Sequence, residues 1–362
     1  PDLRGTVIYN QRRTDIMASR TLAALMVILF ALSYPAMAWK VFPVLSYSSS
    51  SGFMFGGVVN HNMLPPFRPV AFSTMSYIYT DGSFHASPLL LIPAGNGIIE
   101  MQLSYDAKRE NEFYGWGNEG SDDVSAGYSA EVQELLLSWN TALIRDIALS
   151  AGVRVNHSTV YDREKSVLWQ QSPIRSFQST WTAGPFAEAV WNLPGFLDGY
   201  LSSGVNVQTD GDFVYSTTEA SAALFMPLGG STLPASRVRI VKHTGTDSTP
   251  FSFLPSLGGS SGLRGYSDGR FRGNWTLLAN VELRQDVLSL RLDSENFFEL
   301  SLVLFGDAGQ AADHLSECRW DRFHLNGGVG ARMTLPGGGS LRADFAISPE
   351  GLGVQMGLGE LF

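Results

Sequence analysis

Apolar and polar residues alternate with a period of two along most of the chain beyond residue 38. The alternation is clearest near the C-terminus, where the residues between the apolar positions are glycine or glutamine. The apolar positions of that segment are Leu352, Val354, Met356 and Leu358, and the intervening positions are Gly353, Gln355 and Gly357. Successive side chains of a β-strand point to opposite faces of its sheet, so the pattern predicts strands with one apolar and one polar face.

The same alternation recurs at 147–156, 277–284, 298–304 and 341–347. Several of these polar faces carry charges, which a dry core does not accept unpaired. Many segments have about ten residues or more, the length that a tilted strand needs to cross a bilayer, whereas soluble strands commonly have about 5–6. The pattern therefore predicts an all-β protein, a transmembrane antiparallel β-barrel.

Counting the alternating segments gives about 16 strands, and an even number is usual for bacterial outer-membrane barrels. The predicted strands are 40–48, 52–62, 67–79, 82–93, 96–108, 126–143, 145–157, 177–193, 198–209, 212–227, 234–245, 273–287, 297–307, 323–335, 340–347 and 352–362. The four long connections are 109–125, 158–176, 246–272 and 308–322, and all of them follow odd-numbered strands. Long loops on one side and short turns on the other are typical of a barrel with extracellular loops and periplasmic turns.

The N-terminal region has the parts of a secretory signal peptide. Arg20 precedes an apolar core that continues to Leu32, and the small-residue triplet Ala36-Met37-Ala38 follows Pro35. These parts in this order favour a cleaved leader over a membrane anchor. We expect residues 1–38 to be an upstream extension and signal peptide, and residues 39–362 to be the barrel, with no separate soluble domain before it.

Composition narrows the choice of protein class. Charged residues make up only 16% of the chain, there are 38 glycines, and the mean hydropathy is +0.02. A helical membrane bundle would need repeated apolar runs of about 20 residues, and such runs do not occur here. The formal net charge of −9 gives no support to nucleic-acid binding, which needs a basic face.

No residue pattern predicts a catalytic, metal or cofactor site. Cys318 is the single cysteine, and the six histidines lack the spacing of metal ligands. The run 258–262 formally matches the Gly-x-Ser-x-Gly nucleophile elbow, but no helix is predicted to follow it, as that motif requires. We therefore expect neither a cofactor nor an enzymatic activity.

The most informative motifs lie in and after the longest predicted loop. Arg264-Gly265-Tyr266 lies within it, and Phe305-Gly306-Asp307-Ala308-Gly309 follows one strand later. A third motif, Phe113-Tyr114-Gly115-Trp116-Gly117-Asn118, forms what we call the Gly-aromatic segment. Together these motifs resemble the BamA/TamA superfamily of outer-membrane assembly and translocation barrels, also called bacterial surface antigens.

The resemblance implies that the loop carrying Arg264, Gly265 and Tyr266 folds back into the barrel from the extracellular side. It also implies that the terminal Phe362 is a signal read by the barrel-assembly machinery during biogenesis. We expect the family's periplasmic POTRA repeats, which receive the client polypeptide, to be absent before this barrel, which would be a departure from the family. The implied location is the bacterial outer membrane.

In the segment 298–304 the apolar residues at even-numbered positions are expected to face lipid. Asp307 has an odd number, so the alternation places it on the inward face of its strand. An inward carboxylate in a partly dry barrel needs a cation, and an arginine can supply two parallel hydrogen bonds. We therefore expect Arg264 to pair with Asp307, with Glu282 on the adjoining strand as a second acceptor.

Three functional classes remain open from the sequence. The favoured one is an assembly or translocation barrel whose partners are outer-membrane lipid and a polypeptide or lipid client. In that class the seam between the first and last strands opens, and Gly353, Gly357 and Gly359 would weaken pairing there. The same glycines would equally fit a crowded lumen wall. The alternatives are a passive pore or structural barrel, and an outer-membrane enzyme.

Overall fold

The computed structural model describes residues 39–48, 51–61, 70–119, 125–144, 146–171, 177, 179–193, 198–245, 249–291, 297–335, 339–358 and 361. The expected leader at residues 1–38 and the expected assembly signal at Phe362 lie outside the described residues.

The described chain is almost entirely β-structure. Its strands are β1 (Trp39–Ser48), β2 (Gly52–His61), β3 (Ala71–Tyr79), β4 (Phe84–Ala94), β5 (Gly97–Phe113), β6 (Ala126–Ile144), β7 (Ile147–Tyr161), β8 (Thr180–Leu193), β9 (Asp198–Thr209), β10 (Val214–Phe225), β11 (Thr232–Thr244), β12 (Ser256–Leu257), β13 (Phe271–Arg272), β14 (Trp275–Arg291), β15 (Phe297–Ala312), β16 (His324–Leu335), β17 (Gly339–Ser348) and β18 (Gly351–Leu358). One short helix, α1 (Leu168–Gln171), lies between β7 and β8.

Sixteen of these strands form one closed antiparallel barrel in which each strand pairs with its neighbours along the chain and β1 meets β18. This confirms the predicted fold class and strand number. The other two strands, β12 and β13, form a separate small sheet within the connection from β11 to β14, and the sequence did not predict them. Several barrel strands also extend further into their loops than predicted, as β5 does to Phe113 and β15 to Ala312.

The two faces of the wall have the predicted characters. On β15, Leu302 and Leu304 are exposed on the outside, whereas Val303 and Phe305 between them are buried. On β18, Gln355 is buried toward the lumen. Because each strand turns its apolar side chains outward, the barrel presents a hydrocarbon surface to lipid and keeps its charged groups inside.

The long connections come together at one end of the barrel. The described part of the connection from β11 to β14, residues 249–274, turns into the lumen, and we call it the inward loop. Its apolar side chains pack against the inner wall as a buried cluster of Leu257, Leu263, Tyr266, Phe271, Leu278 and Ala311. The lumen is therefore partly filled by the chain itself at this end.

Among the described residues, no helix is long and apolar enough to cross a membrane.

Candidate functional site

Arg264 is the centre of the inward loop's contact with the barrel wall. Its guanidinium is bidentate on Asp307, with Nε donating to Oδ2 at 2.9 Å and Nη2 donating to Oδ1 at 2.7 Å. Nη1 donates to Glu282 Oε1 at 2.6 Å. The side chains of all three residues are fully buried. Two parallel charge-assisted bonds fix the orientation of the guanidinium as well as its position.

The Phe-x-Asp-x-Gly motif of β15 gives three separate contacts to the inward loop. The ring of Phe305 lies under the guanidinium of Arg264, with its centroid 3.5 Å from Cζ. Asp307, two residues later on the same inward face, supplies the carboxylate. A Cβ at Gly309 would lie 3.0 Å from Leu263 Cδ1, so the glycine leaves room for the loop. The three inward-facing residues of this motif thus contact the arginine of the loop, supply its counter-ion and leave room for a leucine of the loop.

Glu282 on β14 contacts more cations than Asp307 does. Besides Arg264, it accepts from Arg332 Nη2 at 3.0 Å and from Arg284 Nε at 2.9 Å. Arg332 Nη1 also donates to Asp344 Oδ1 at 2.7 Å. A charge network therefore runs along the inner wall from β14 to β17 and encloses the arginine of the loop.

Further side chains complete this network. Asp344 Oδ2 is 3.6 Å from Arg264 Nη1 and 3.9 Å from Arg342 Nη1. A Cβ at Gly330 would lie 2.2 Å from Asp344 Oδ1, so only glycine at that position leaves room for the carboxylate. Asn280 Nδ2 bridges Asp307 Oδ1 at 2.8 Å and the Gly262 carbonyl at 3.1 Å. The two Asn280 bonds satisfy buried groups that would otherwise be costly, whereas the Asp344 Oδ2 contacts are ion pairs without a hydrogen bond.

Gly265 and Tyr266 hold the backbone of the loop against β16 and β17. A Cβ on Gly265 would lie 2.9 Å from both Asn326 Cβ and Ser348 Cβ, so this approach requires glycine. Its carbonyl accepts from Ser348 Oγ at 2.7 Å. The Tyr266 hydroxyl donates to the Leu325 carbonyl at 3.2 Å.

The Gly-aromatic segment closes over the outer end of the inward loop. Gly117 N donates to the Arg272 carbonyl at 2.7 Å. The Asn118 side chain donates to the Arg322 carbonyl at 2.7 Å, and the Asn118 carbonyl accepts from His324 Nε2 at 2.9 Å. These contacts join three extracellular connections above the lumen.

At the opposite wall, the inward loop makes one ion pair with β5. Lys108 Nζ donates to Asp268 Oδ2 at 2.9 Å, and both side chains are about half exposed, at 55% and 49%. The Lys108 ammonium lowers the pKa of the Asp268 carboxyl below its ordinary value.

Groups that could hold a metal are not found among the described residues, where no cluster of three or more His, Cys, Asp or Glu side chains occurs. The Gly-x-Ser-x-Gly run lies in the inward loop, and its 259–261 portion forms a short 3-10 turn. Cys318 is a free cysteine in the β15–β16 connection.

The structure brings together five of the six residues that the sequence singled out: Arg264, Gly265, Tyr266, Asp307 and Glu282. The sixth, Phe362, lies outside the described residues. Sequence reasoning missed Asn280, Arg284, Arg332, Arg342 and Asp344 as members of the site. Alternation placed several of them on inward faces, but it carries no information on height along the barrel axis.

Comparisons with known proteins agree with this architecture. Residues 196–362 match the family model described as the Omp85 superfamily domain. No curated protein sequence matches the chain. Among solved structures, BamA from Haemophilus ducreyi lacking POTRA domains 1-3 superposes with a TM-score of 0.60 at 13% identity, covering 89% of this chain and 70% of that one.

Two further similar structures are CdiB proteins. CdiB from Escherichia coli gives a TM-score of 0.63 at 14% identity, over 90% of this chain and 63% of that chain. CdiB from Acinetobacter baumannii gives 0.54 at 14% identity, over 88% and 59%. The chain thus spans less than two thirds of either CdiB, and at these identities the likeness shows the fold. Residues 196–362 thus carry an Omp85 superfamily domain, and the described barrel as a whole has the fold of the BamA and CdiB outer-membrane barrels.

Proposed function

We propose that this barrel assists the insertion or transport of a polypeptide or lipid client at the outer membrane, through the seam between β1 and β18. The observation that carries the proposal is the weak pairing at this seam. Within the described residues, β1 and β18 are aligned at a single pair, Ser48 with Gln355, whereas β1 pairs with β2 along its whole length. Few ladder hydrogen bonds would have to break for these two strands to separate.

The inward loop lies beside this seam, which supports a link between the two. Arg342 of β17 donates to the Ser260 carbonyl of the loop, and a Cβ on Gly353 of β18 would lie 2.8 Å from the Arg264 carbonyl. The loop thus rests on the inner face of the last two strands. We infer that movement of the loop and opening of the seam are coupled.

A passive pore is the second candidate that the sequence left open. The inward loop and the extracellular contacts above it fill part of the lumen, which favours an assembly or translocation barrel over a wide open channel. Single-channel recording separates the two classes. A steady, large conductance that is unaffected by locking the seam would favour the pore.

The direct test is a disulfide across the seam. In a Cys318→Ser background, Ser48→Cys with Gln355→Cys places two thiols on directly paired residues. The matched control is Ser202→Cys with Ser221→Cys on the paired strands β9 and β10. Each protein is reconstituted in liposomes, and insertion of a urea-unfolded small outer-membrane barrel is followed with and without reductant.

We expect the oxidised seam disulfide to abolish assisted insertion and reductant to restore it, while the control disulfide has no effect. Equal insertion by the oxidised and reduced seam variant would show that the client does not use the seam. Insertion no faster than in liposomes without the protein would argue against assistance to barrel clients, and a lipid-transfer assay with the same locked variants would then test the lipid client.

A further inference from the structure

A depression of about 290 Å³ interrupts the outer wall of the barrel between β1 and β5. Its lining is apolar throughout and comes from four strands: Trp39 of β1, Phe72 of β3, Pro88 and Leu90 of β4, and Met101 and Leu103 of β5. Met101 and Leu103 are 38% and 47% exposed, so the depression is open on its outer side. We call it the outer groove.

The outer groove faces lipid and not the lumen. Tyr77 of β3 and His85 of β4 lie on the lumen side, where they line a cavity beside the inward loop. Phe72 and Leu90 are separated from them by an odd number of positions, which places their side chains on the opposite face of the wall. Leu90 and Met101 also lie close to the short turn between β4 and β5, away from the long connections. The groove is therefore in the periplasmic half of the lipid-facing surface.

Cross-strand pairing explains why the wall is concave here. One row of directly paired residues on the outer face has large side chains: Trp39, His61, Phe72, Leu90 and Met101. The next two rows toward the middle of the wall have shorter ones: Val59, Thr74 and Pro88, then Gly57, Ser76 and Ala86. The Trp39 ring meets Phe72 edge to face at 5.9 Å, so the large row forms a continuous ledge beside the short ones.

The lining favours a hydrocarbon chain as the ligand. None of its side chains carries a charge, and a polar group placed there would lose its hydration without gaining a partner. Lipid tails are as apolar as these side chains, so transfer out of water does not distinguish a bound chain from a free one. Shape does, because a chain in a groove is contacted from several sides, whereas a chain on a convex wall is contacted from one. Each additional atom pair adds dispersion attraction.

Trp39 indicates which part of a lipid lies at each end of the groove. Tryptophan rings favour the membrane–water interface, where one end of the ring is apolar and the other is wet. A chain that follows the groove from Trp39 toward Leu103 therefore begins near the periplasmic headgroups and runs toward the middle of the bilayer. A second copy of this chain fits less well, since a two-fold interface would set the groove against itself and leave it unfilled.

We propose that the outer groove is a binding site for one acyl chain of a phospholipid from the periplasmic leaflet. The lipid is held there more tightly than the lipids that surround the rest of the barrel. This site is independent of the proposed transport through the seam, so either inference stands if the other fails.

The test is a titration of the full chain, in a non-ionic detergent, with palmitoyl-oleoyl phosphatidylethanolamine. Native mass spectrometry gives the dissociation constant of each lipid that binds. Phe72→Ala removes the ledge of the groove. Phe345→Ala is the matched control, because it removes the same ring from the outer face of β17, where Phe345 is 50% exposed outside the groove. Heat-modifiable migration reports folding of each variant.

We expect one lipid to bind more tightly than those that follow it. Loss of about ten atom contacts should weaken this first step about fivefold in Phe72→Ala, and Phe345→Ala should leave it unchanged. If Phe72→Ala does not fold, Leu103→Ala decides the outcome, because it removes the opposite side of the groove.

The proposal is overturned if the first and later lipids bind equally, which would leave surrounding lipid only. It is also overturned if Phe72→Ala and Phe345→Ala weaken the first step alike. A dimer mass that Phe72→Ala abolishes, without a tightly bound lipid, would reassign the groove to a second copy of the chain.

Discussion

The inward loop is held at two opposite walls of the barrel by ion pairs of very different kinds. Toward β14–β17, Arg264 is fully buried with Asp307 and Glu282, and its guanidinium also lies on the ring of Phe305. Toward β5, the Lys108–Asp268 pair has a similar length of 2.9 Å but is about half exposed. Distance alone therefore does not rank these contacts, whereas burial does.

Burial changes what each pair contributes. Water screens an exposed pair and holding its side chains costs entropy, so such pairs are commonly worth about 0–1 kcal/mol. Forming a fully buried pair adds little to the free energy of folding, because desolvation of both charges offsets their attraction. Breaking the pair costs much more, because removing one partner leaves the other desolvated and uncompensated. We expect the Arg264 pair to contribute strongly to the loop's attachment next to the seam and the Lys108–Asp268 pair to contribute little across the lumen, where Phe251 and Leu254 of the loop also pack in a buried apolar cluster.

The largest effect should follow from breaking the buried pair. Arg264→Ala and Asp307→Ala should each destabilise the folded barrel by about 3–5 kcal/mol, because each strands a buried charge. The double variant should be little worse than either single one, since the two residues form one unit. Urea titration of the barrel in lipid vesicles measures the free energy of unfolding, and protease sensitivity reports release of the loop.

Asp307→Asn sharpens this test because it keeps the size of the side chain and removes its charge. Four arginines meet three carboxylates in this network, so loss of a carboxylate leaves a larger positive excess than before. Asp307→Asn should therefore remain close to Asp307→Ala. Strictly additive effects of Arg264→Ala and Asp307→Ala would mean that the two side chains do not interact.

A related contrast, between properties of one strand and relations between strands, explains which features could be predicted from the sequence. The period of two, the turn residues and the side of the long loops predicted sixteen strands, and the structure has sixteen in the barrel. The inward direction of Asp307 also followed from its neighbours Leu302 and Leu304, which are exposed on the outer surface. These properties depend on local periodicity, which a single strand contains by itself.

The remaining members of the site depend on relations between strands. Arg332 lies opposite Arg342, and Asp344 lies opposite Gly330, only because β16 and β17 pair in this register. Periodicity gives the face of each residue but not its height, so the role of Asp344 could not be derived. The small β12–β13 sheet was not predicted either, because each of its strands has only two residues.

The next largest effect should come from crowding the buried side of the loop. Gly265→Ala would place a Cβ 2.9 Å from Asn326 and Ser348, and overpacking of this kind costs about 1–3 kcal/mol. Gly204→Ala on β9 is the matched control, because its Cβ would meet nothing closer than 3.5 Å. Urea titration should separate the two alanine variants, and equal stability would show that the loop does not approach the wall so closely.

A smaller loss is expected at Tyr266, which is buried but uncharged. Tyr266→Phe removes the 3.2 Å hydrogen bond to the Leu325 carbonyl and keeps the ring, at an expected cost of about 0.5–1.5 kcal/mol. The inward loop should stay resistant to protease at neutral pH. Release of the loop by this single hydroxyl deletion would contradict the view that the charged network carries most of the attachment.

The smallest effect is expected at the exposed pair. Lys108→Ala should cost about 0–1 kcal/mol, and that small loss should shrink further in high salt, since screening weakens exposed pairs most. The sign of the pH effect follows from the lowered pKa of Asp268. A carboxyl with a depressed pKa stabilises the fold above its unfolded pKa, and that contribution is lost as the pH falls through the lower folded value.

The pair should therefore be intact at neutral pH and weaken only below about pH 4, the range of an ordinary aspartate. Asp268→Asn at neutral pH should reproduce the acid-weakened state of the pair, and Lys108→Ala should then add little to it. Protease sensitivity of the loop, measured against salt and pH in both variants, gives the comparison with Arg264→Ala. If Lys108→Ala released the loop as fully as Arg264→Ala does, exposure would not be what distinguishes the two walls.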